Sequence, residues 1–192
     1  MAIVSTNPKK LAGPWIDGYA LDFHTISSTW TGDQYRYDTK RTELGDRVYR
    51  LKYAGATGVT TDIVDTAEKF ITEWTPPIDC VVPVPPSLGR KSQPVVEIAR
   101  DLAARLNLPM CEDALIKGRA TPQMKNIREW SEREKLLREA IRVGPGNVKR
   151  KSILLVDDLI ESGSTLRCAA EVLLKDAGAG AVYALVLTRT KR

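Results

Sequence analysis

The sequence predicts an α/β fold: a mainly parallel sheet flanked by helices, with a small N-terminal aromatic hood. Two patterns carry that expectation. From residue 79 onward, short apolar β-branched runs alternate with helical stripes. Strands separated by helices of about 10–15 residues imply right-handed crossovers and a parallel sheet covered on both faces. Ahead of residue 43 the pattern is different. Residues 1–53 hold eight of the chain's twelve aromatics, and the first 40 read as an irregular or hairpin region. A hood or hairpin segment over 1–42 is therefore expected, followed by the main domain over 43–192.

The elements follow in order. Ile16, Tyr19, Leu21 and Phe23 fall partly at strand alternation, with 35–41 as the expected partner strand. Leu44, Val48 and Leu51 recur at helical spacing behind Thr42, a good N-cap, which predicts a helix over 43–53. Thr60 or Thr61 caps the next helix, whose stripe of Ile63, Ala67, Phe70, Ile71 and Trp74 is stopped by Pro76-Pro77. The run 79–85 reads as a buried strand. Ser92 opens a helix with Pro94 in its first turn, where a missing N–H matters least, and Val95, Ile98, Ala99 and Leu102 carry it to about residue 106. A short strand near 110–116 leads into a polar, basic segment. Ser131 and Glu134 make a capping-box pair for a helix whose buried face includes Leu137, Ala140 and Ile141. A strand over 151–158, a glycine-containing turn, a helix over 165–177 and a strand over 181–189 complete the order.

Composition narrows the function classes. With 192 residues, 43% hydrophobic and 28% charged, the chain suits one folded domain and neither a disordered nor a fibrous protein. Its longest apolar runs, such as Ile153–Val156, fall far short of a membrane span, and the first ten residues lack an apolar signal region. Cys80, Cys111 and Cys168 are odd in number and form no CxxC pair, which argues against a disulfide framework and a zinc ribbon. The expected compartment is the cytoplasm, with no membrane partner. His24 is the single histidine, so a histidine metal site or a Ser-His-Asp triad has little material. It is expected as a hydrogen-bonded edge residue, with acceptor contact as the alternative. The net charge is +5, yet residues 85–151 alone carry 15 Lys/Arg against 8 Asp/Glu. Such a stretch suits a polyphosphate ligand, nucleic acid or a solvated helix face, and charge does not separate them.

The most specific signal is ILLVDDLIESGSTL, residues 153–166. A strand buried on both faces delivers Asp157 and Asp158 at its carboxyl end, where ligands sit in open α/β sheets. The small polar turn Ser162-Gly163-Ser164-Thr165 then opens a helix, and exposed N–H groups beside hydroxyls form a phosphate cradle. Two acids next to a phosphate repel it unless they hold sugar hydroxyls or a divalent cation. A ligand combining ribose, a 5′-phosphate and Mg²⁺ fits that spacing.

This stretch resembles the 5-phosphoribosyl-1-pyrophosphate (PRPP) motif of type I phosphoribosyltransferases, with Glu161 and Ser162 replacing the usual small hydroxyl pair. The likeness covers about residues 44–190 and is similar to the competence-associated ComF family in particular. VVPVPPS resembles that family's VPVP strand, LKYAG its L-K-Y-x-G, and RATPQMKNIREWSEREKLLREAIRV its R-x-T…Q…R signature. Two residues are extra between Gln123 and Arg133, Leu136 stands at the usual Asn position, and the family's N-terminal zinc ribbon is absent.

The resemblance implies the type I phosphoribosyltransferase fold for 43–192 and Mg²⁺-dependent transfer of a phosphoribosyl group from PRPP to a nitrogen acceptor, with pyrophosphate released. It implies that Asp157 and Asp158 hold the ribose and Mg²⁺, Mg²⁺ being bound directly or through water. Glu161, Ser162, Gly163, Ser164 and Thr165 then hold the 5′-phosphate, and Ser87, Arg90 and Lys91 the pyrophosphate. Arg119, Gln123 and Arg133 belong to a mobile catalytic loop, and Lys52 and Tyr53 are further candidates. A homodimer is expected. The rival expectation is a PRPP- or nucleotide-sensing accessory protein with little turnover that binds DNA weakly or a DNA-processing partner.

Overall fold

In a computed structural model the chain is described over residues 3–32, 37–53, 57–86, 93–118 and 140–191. Its centre is a five-stranded sheet in the order β1-β2-β9-β8-β5. These strands are β1 (Lys9–Lys10), β2 (Asp17–Phe23), β5 (Cys80–Pro83), β8 (Ser152–Ile160) and β9 (Ala181–Arg189). All pairings are parallel except that of β1 with β2. Two small antiparallel ribbons stand apart: β3 (Thr25–Trp30) with β4 (Tyr37–Arg41), and β6 (Leu115–Lys117) with β7 (Ile141–Val143).

Alternation along the central strands builds two cores. In β8, Ile153 and Leu155 face one side, where helix α4 (Ser164–Glu171) lays Leu166, Ala169 and Ala170 against them. Leu154 and Val156 face the other. There α1 (Glu43–Tyr53), α2 (Thr60–Trp74) and α3 (Pro94–Arg105) cover the sheet with Leu44, Ile63 and Leu102 among others. The seven leucines and isoleucines named here are fully buried, and truncating any one to Ala costs roughly 2–5 kcal/mol. Arg105 ties α3 to α2, with Nη1 2.7 Å from the buried Asp65 and 3.0 Å from Glu68.

The sequence reading holds for α1, α2, α3, α4, β5, β8 and β9 and is corrected at the following points. Residues 17–23 do not pair with 37–41. β2 lies parallel to β9, with Ala20 opposite Val186, because Ala20 and Leu21 are buried on opposite faces and need an interior position. The mostly exposed β4 pairs instead with β3, Trp30 against Tyr37. His24 therefore follows an interior strand and is itself buried. Ile141 opens a strand opposite Lys117 and is not helical. Val59, ending a short 3₁₀ turn (Thr57–Val59), occupies the cap position of α2, and neither Thr60 nor Thr61 does. Gln93 takes the cap position of α3. The remaining expectations for 119–139 lie outside the described residues. Among the described residues no helix is long and apolar enough to cross a membrane.

Candidate functional site

The carboxyl end of β8 projects Asp157 and Asp158 into a cavity of about 370 Å³. The turn after β8 forms one wall. Gly163 takes a left-handed conformation, φ 77°, which L side chains rarely adopt, and this lets the chain reverse into α4. Ser162 Oγ lies 2.9 Å from Ser164 Oγ and accepts the Ser164 N–H at 3.4 Å. All five turn residues, Glu161 to Thr165, line the cavity, and Glu161 is the exposed one. The motif from Asp157 to Thr165 thus lines the cavity without interruption.

α1 supplies the opposite wall. Thr42 Oγ1 accepts the Gly45 N–H at 3.0 Å, as an N-cap does, and donates to the Phe23 carbonyl at 2.6 Å, fastening the helix start to the end of β2. The helix then carries Lys52 and Tyr53 in its last turn to the cavity. Lys52 Nζ lies 3.0 Å from Asp158 Oδ1 and 2.9 Å from Oδ2, and both side chains are 11% exposed. Tyr53 is exposed, and its ring centroid lies 5.0 Å from that of Tyr49. Arg41 of β4 stacks 3.6 Å over the Tyr49 ring, so the β3–β4 ribbon meets α1 beside the cavity.

Burial, then the neighbouring Asp158 carboxylate, push the Asp157 carboxyl up to about 8; the Asp158 N–H, Lys52 and Lys117 oppose the shift. Behind the pair, Thr188 Oγ1 donates to the Asp158 carbonyl at 3.3 Å and lies 3.1 Å from His24 Nδ1. His24 is held below the usual histidine range by burial and by Arg41 and Lys52, with Asp158 opposing.

The structure brings together Asp157, Asp158, Glu161, Ser162, Gly163, Ser164, Thr165, Lys52 and Tyr53. Ser87, Arg90, Lys91, Arg119, Gln123 and Arg133 lie outside the described residues. The sequence reading missed Lys117 and Gln93, which also line the cavity. Lys117 ends a three-residue strand inside a basic stretch, and no spacing signal distinguishes it from its neighbours. Gln93 sits one residue ahead of Pro94, in the cap position of a predicted helix, and that was its available signal. Among the described residues there is no cluster of three metal-binding side chains. Asp157 and Asp158 are nevertheless the hard oxygen donors that suit Mg²⁺, which characteristically uses one or two carboxylates and completes its shell with water and ligand phosphates.

Comparison with known proteins bears on this arrangement. The family model described as phosphoribosyl transferase domain matches residues 95–192. A search of curated proteins gives no match. Among solved structures, the chain is similar to adenine phosphoribosyl transferase from Trypanosoma brucei, in complex with AMP, pyrophosphate and ribose-5-phosphate. There the identity is 13%, coverage is 96% of this chain and 86% of that one, and the TM-score is 0.51. It also matches adenine phosphoribosyltransferase from Saccharomyces cerevisiae at 13% identity, covering 84% and 83%, with a TM-score of 0.47. Glutamine PRPP amidotransferase from B. subtilis matches at 24% identity and a TM-score of 0.48. That match covers 67% of this chain, which spans only 26% of the amidotransferase. At these identities the likeness is one of fold: a mostly parallel sheet flanked by helices.

Proposed function

The chain belongs to the phosphoribosyl transferase domain family, and on that premise we propose that it binds PRPP with Mg²⁺ and transfers the phosphoribosyl group to a nitrogen acceptor, releasing pyrophosphate. One observation carries the reading. The acid pair Asp157-Asp158 and the left-handed Gly163 turn form one wall of a single cavity at the carboxyl edge of the sheet. The acids take the ribose hydroxyls and the turn takes the 5′-phosphate. In this reading the N–H groups and hydroxyls of Ser162 to Thr165 fix the phosphate, so the sugar C1 is presented in a set position relative to the acceptor. Mg²⁺, held by Asp157 and Asp158 with the ligand's own oxygens, would neutralise negative charge on the pyrophosphate.

The chemistry asked of the protein is mostly electrostatic. Breaking the C1–O bond develops positive charge on the sugar and negative charge on the leaving group, so preorganised charges supply the stabilisation. Asp157 and Asp158 face the sugar. Lys117 faces the same cavity, and Ser87, Arg90 and Lys91 are proposed for the leaving group. Arg119, Gln123 and Arg133 are proposed for a segment that closes over the site and excludes water. The β3–β4 ribbon, meeting α1 at Arg41 and Tyr49 beside Tyr53, is the proposed acceptor-facing hood. The finer likeness to the ComF family, a cytoplasmic location and a homodimer belong to the same proposal.

Glu161 supports a second reading. A carboxylate facing the bound phosphate would weaken anion binding and suit a sensor with little turnover, one that pairs weakly with DNA or a DNA-processing protein. Pyrophosphate release from PRPP, measured across a panel of nucleobases, ammonia and nucleosides, separates the two. Release that depends on one acceptor supports the enzyme. PRPP binding with no release for any acceptor supports the sensor.

A further inference from the structure

We infer that Lys52 is a built-in stand-in for the ligand's divalent cation: its ammonium and the cation compete for Asp158, and displacement turns Lys52 toward a phosphoryl oxygen of the ligand. This rests on the reading of the cavity as a Mg²⁺–PRPP site. Three observations carry it. The ammonium sits 2.9 and 3.0 Å from the two Asp158 oxygens, so both oxygens a cation would use are already engaged. Each partner is 11% exposed, so water cannot readily replace the one when the other leaves. A partly buried carboxylate stripped of its partner is strongly disfavoured, which makes an exchange of cations far more favourable than simple opening. Finally, Lys52 occupies the last turn of α1 at the cavity wall, and the space beside it is the cavity itself.

The charge balance agrees. The described cavity lining carries Asp157, Asp158 and Glu161 against Lys52 and Lys117. Without a ligand, Lys52 neutralises the Asp158 carboxylate. A cation at Asp158 would leave a loose ammonium beside it, and two like charges at contact distance repel. The pyrophosphate that arrives with the cation gives the ammonium an anion to meet. Lys52 thereby becomes a positioning residue that couples cation binding to polyphosphate binding.

Lysine labelling of the intact wild-type chain tests the exchange. Acetylation at Lys52, followed by peptide mass spectrometry, should be slow in the free protein and rise at least threefold with millimolar Mg²⁺ alone. It should fall again when PRPP is added with Mg²⁺, while the exposed Lys69 and Lys175 stay constant. A Lys52 rate unmoved by Mg²⁺ overturns the inference. Calorimetry on Lys52→Met gives an independent sign: Mg²⁺ alone binds at least tenfold tighter and Mg²⁺–PRPP at least tenfold weaker. A lysine that only braces the fold would weaken both, and that result also overturns it. Should Lys52→Met fail to fold, the wild-type labelling still decides. Failure of the wild type to bind PRPP at all would refute the proposed function, while the Mg²⁺ response of Lys52 would still test the exchange.

Discussion

Gly45 faces the carbonyl of His24 so closely that a Cβ on Gly45 would lie 2.1 Å from the carbonyl oxygen. The contact lets the first turn of α1 lie directly on the chain leaving β2, beneath the Thr42 cap. It also sets where the other end of the helix arrives, two turns on, with Lys52 on Asp158 and Tyr53 at the cavity. One glycine thus aligns a site more than a hundred residues away in sequence.

Gly45→Ala is accordingly expected to push α1 off β2. The added methyl meets backbone, which cannot swing aside, so overpacking of about 1–3 kcal/mol is expected in thermal or denaturant unfolding. PRPP affinity should fall as well, because Lys52 and Tyr53 shift with the helix. Unchanged stability and unchanged affinity together would show that the helix position is not set by this contact.

Asp157 makes both stability and binding depend on pH. Its folded-state value, about 8, is above the ordinary 3.8, so between these values the folded chain holds a proton that the unfolded chain has lost. The stability this group contributes is present below about pH 4 and is lost as pH rises toward 8. Asp157→Asn should remove that loss, and the difference in Tm between pH 6 and pH 8 should be smaller in the variant than in the wild type. Binding of Mg²⁺–PRPP needs the carboxylate, so complex formation at pH 7 should release close to one proton. Calorimetry in buffers of different ionisation enthalpy counts it, and zero release at pH 7 would contradict the assignment.

His24 works in the opposite direction. Its depressed value means that its stability contribution is present above about 6.5 and is lost as pH falls below it. His24→Gln, which keeps a hydrogen-bonding side chain near Thr188, should flatten the loss of stability between pH 7 and 5 seen in chemical denaturation. A curve as steep as wild type over that range would assign the acid sensitivity elsewhere.

Glu161 is exposed where the turn after β8 begins. With its side chain turned to solvent, Glu161→Thr should change PRPP affinity by less than threefold, which is under about 1 kcal/mol. A tenfold gain on titration would mean that the carboxylate faces the phosphate and holds affinity down.

What was legible in the sequence was what is local. The motif from Ile153 to Leu166 encodes strand, acids, turn and helix within fourteen residues, and its hydrophobic run and glycine specify each step. The stripes of α1, α2 and α3 were legible for the same reason: each repeats its apolar residues over several turns. β2 was not. Its segment mixes Asp17, Tyr19, Asp22 and Phe23 with Ala20 and Leu21, which blurs the period, and its partner β9 lies more than 150 residues away. Ile141 sits in a three-residue strand, too short for a period to separate from a helix end. The Lys52–Asp158 pair spans 106 residues, and resemblance had marked Lys52 without indicating its partner. Lys117 carried no signal at all, because one lysine among many gains meaning only from the cavity it lines.

The most direct test of the account is calorimetric titration of PRPP into the wild-type chain and into Asp157→Asn/Asp158→Asn, each with and without Mg²⁺. Circular dichroism should show both proteins folded, since both acids line the cavity and neither belongs to the apolar cluster on either face of the sheet. The account predicts one PRPP bound per wild-type chain only when Mg²⁺ is present, and none by the double variant. Binding by the variant within about threefold of wild type, less than 1 kcal/mol, would contradict it and make the acid pair a structural feature of the strand end.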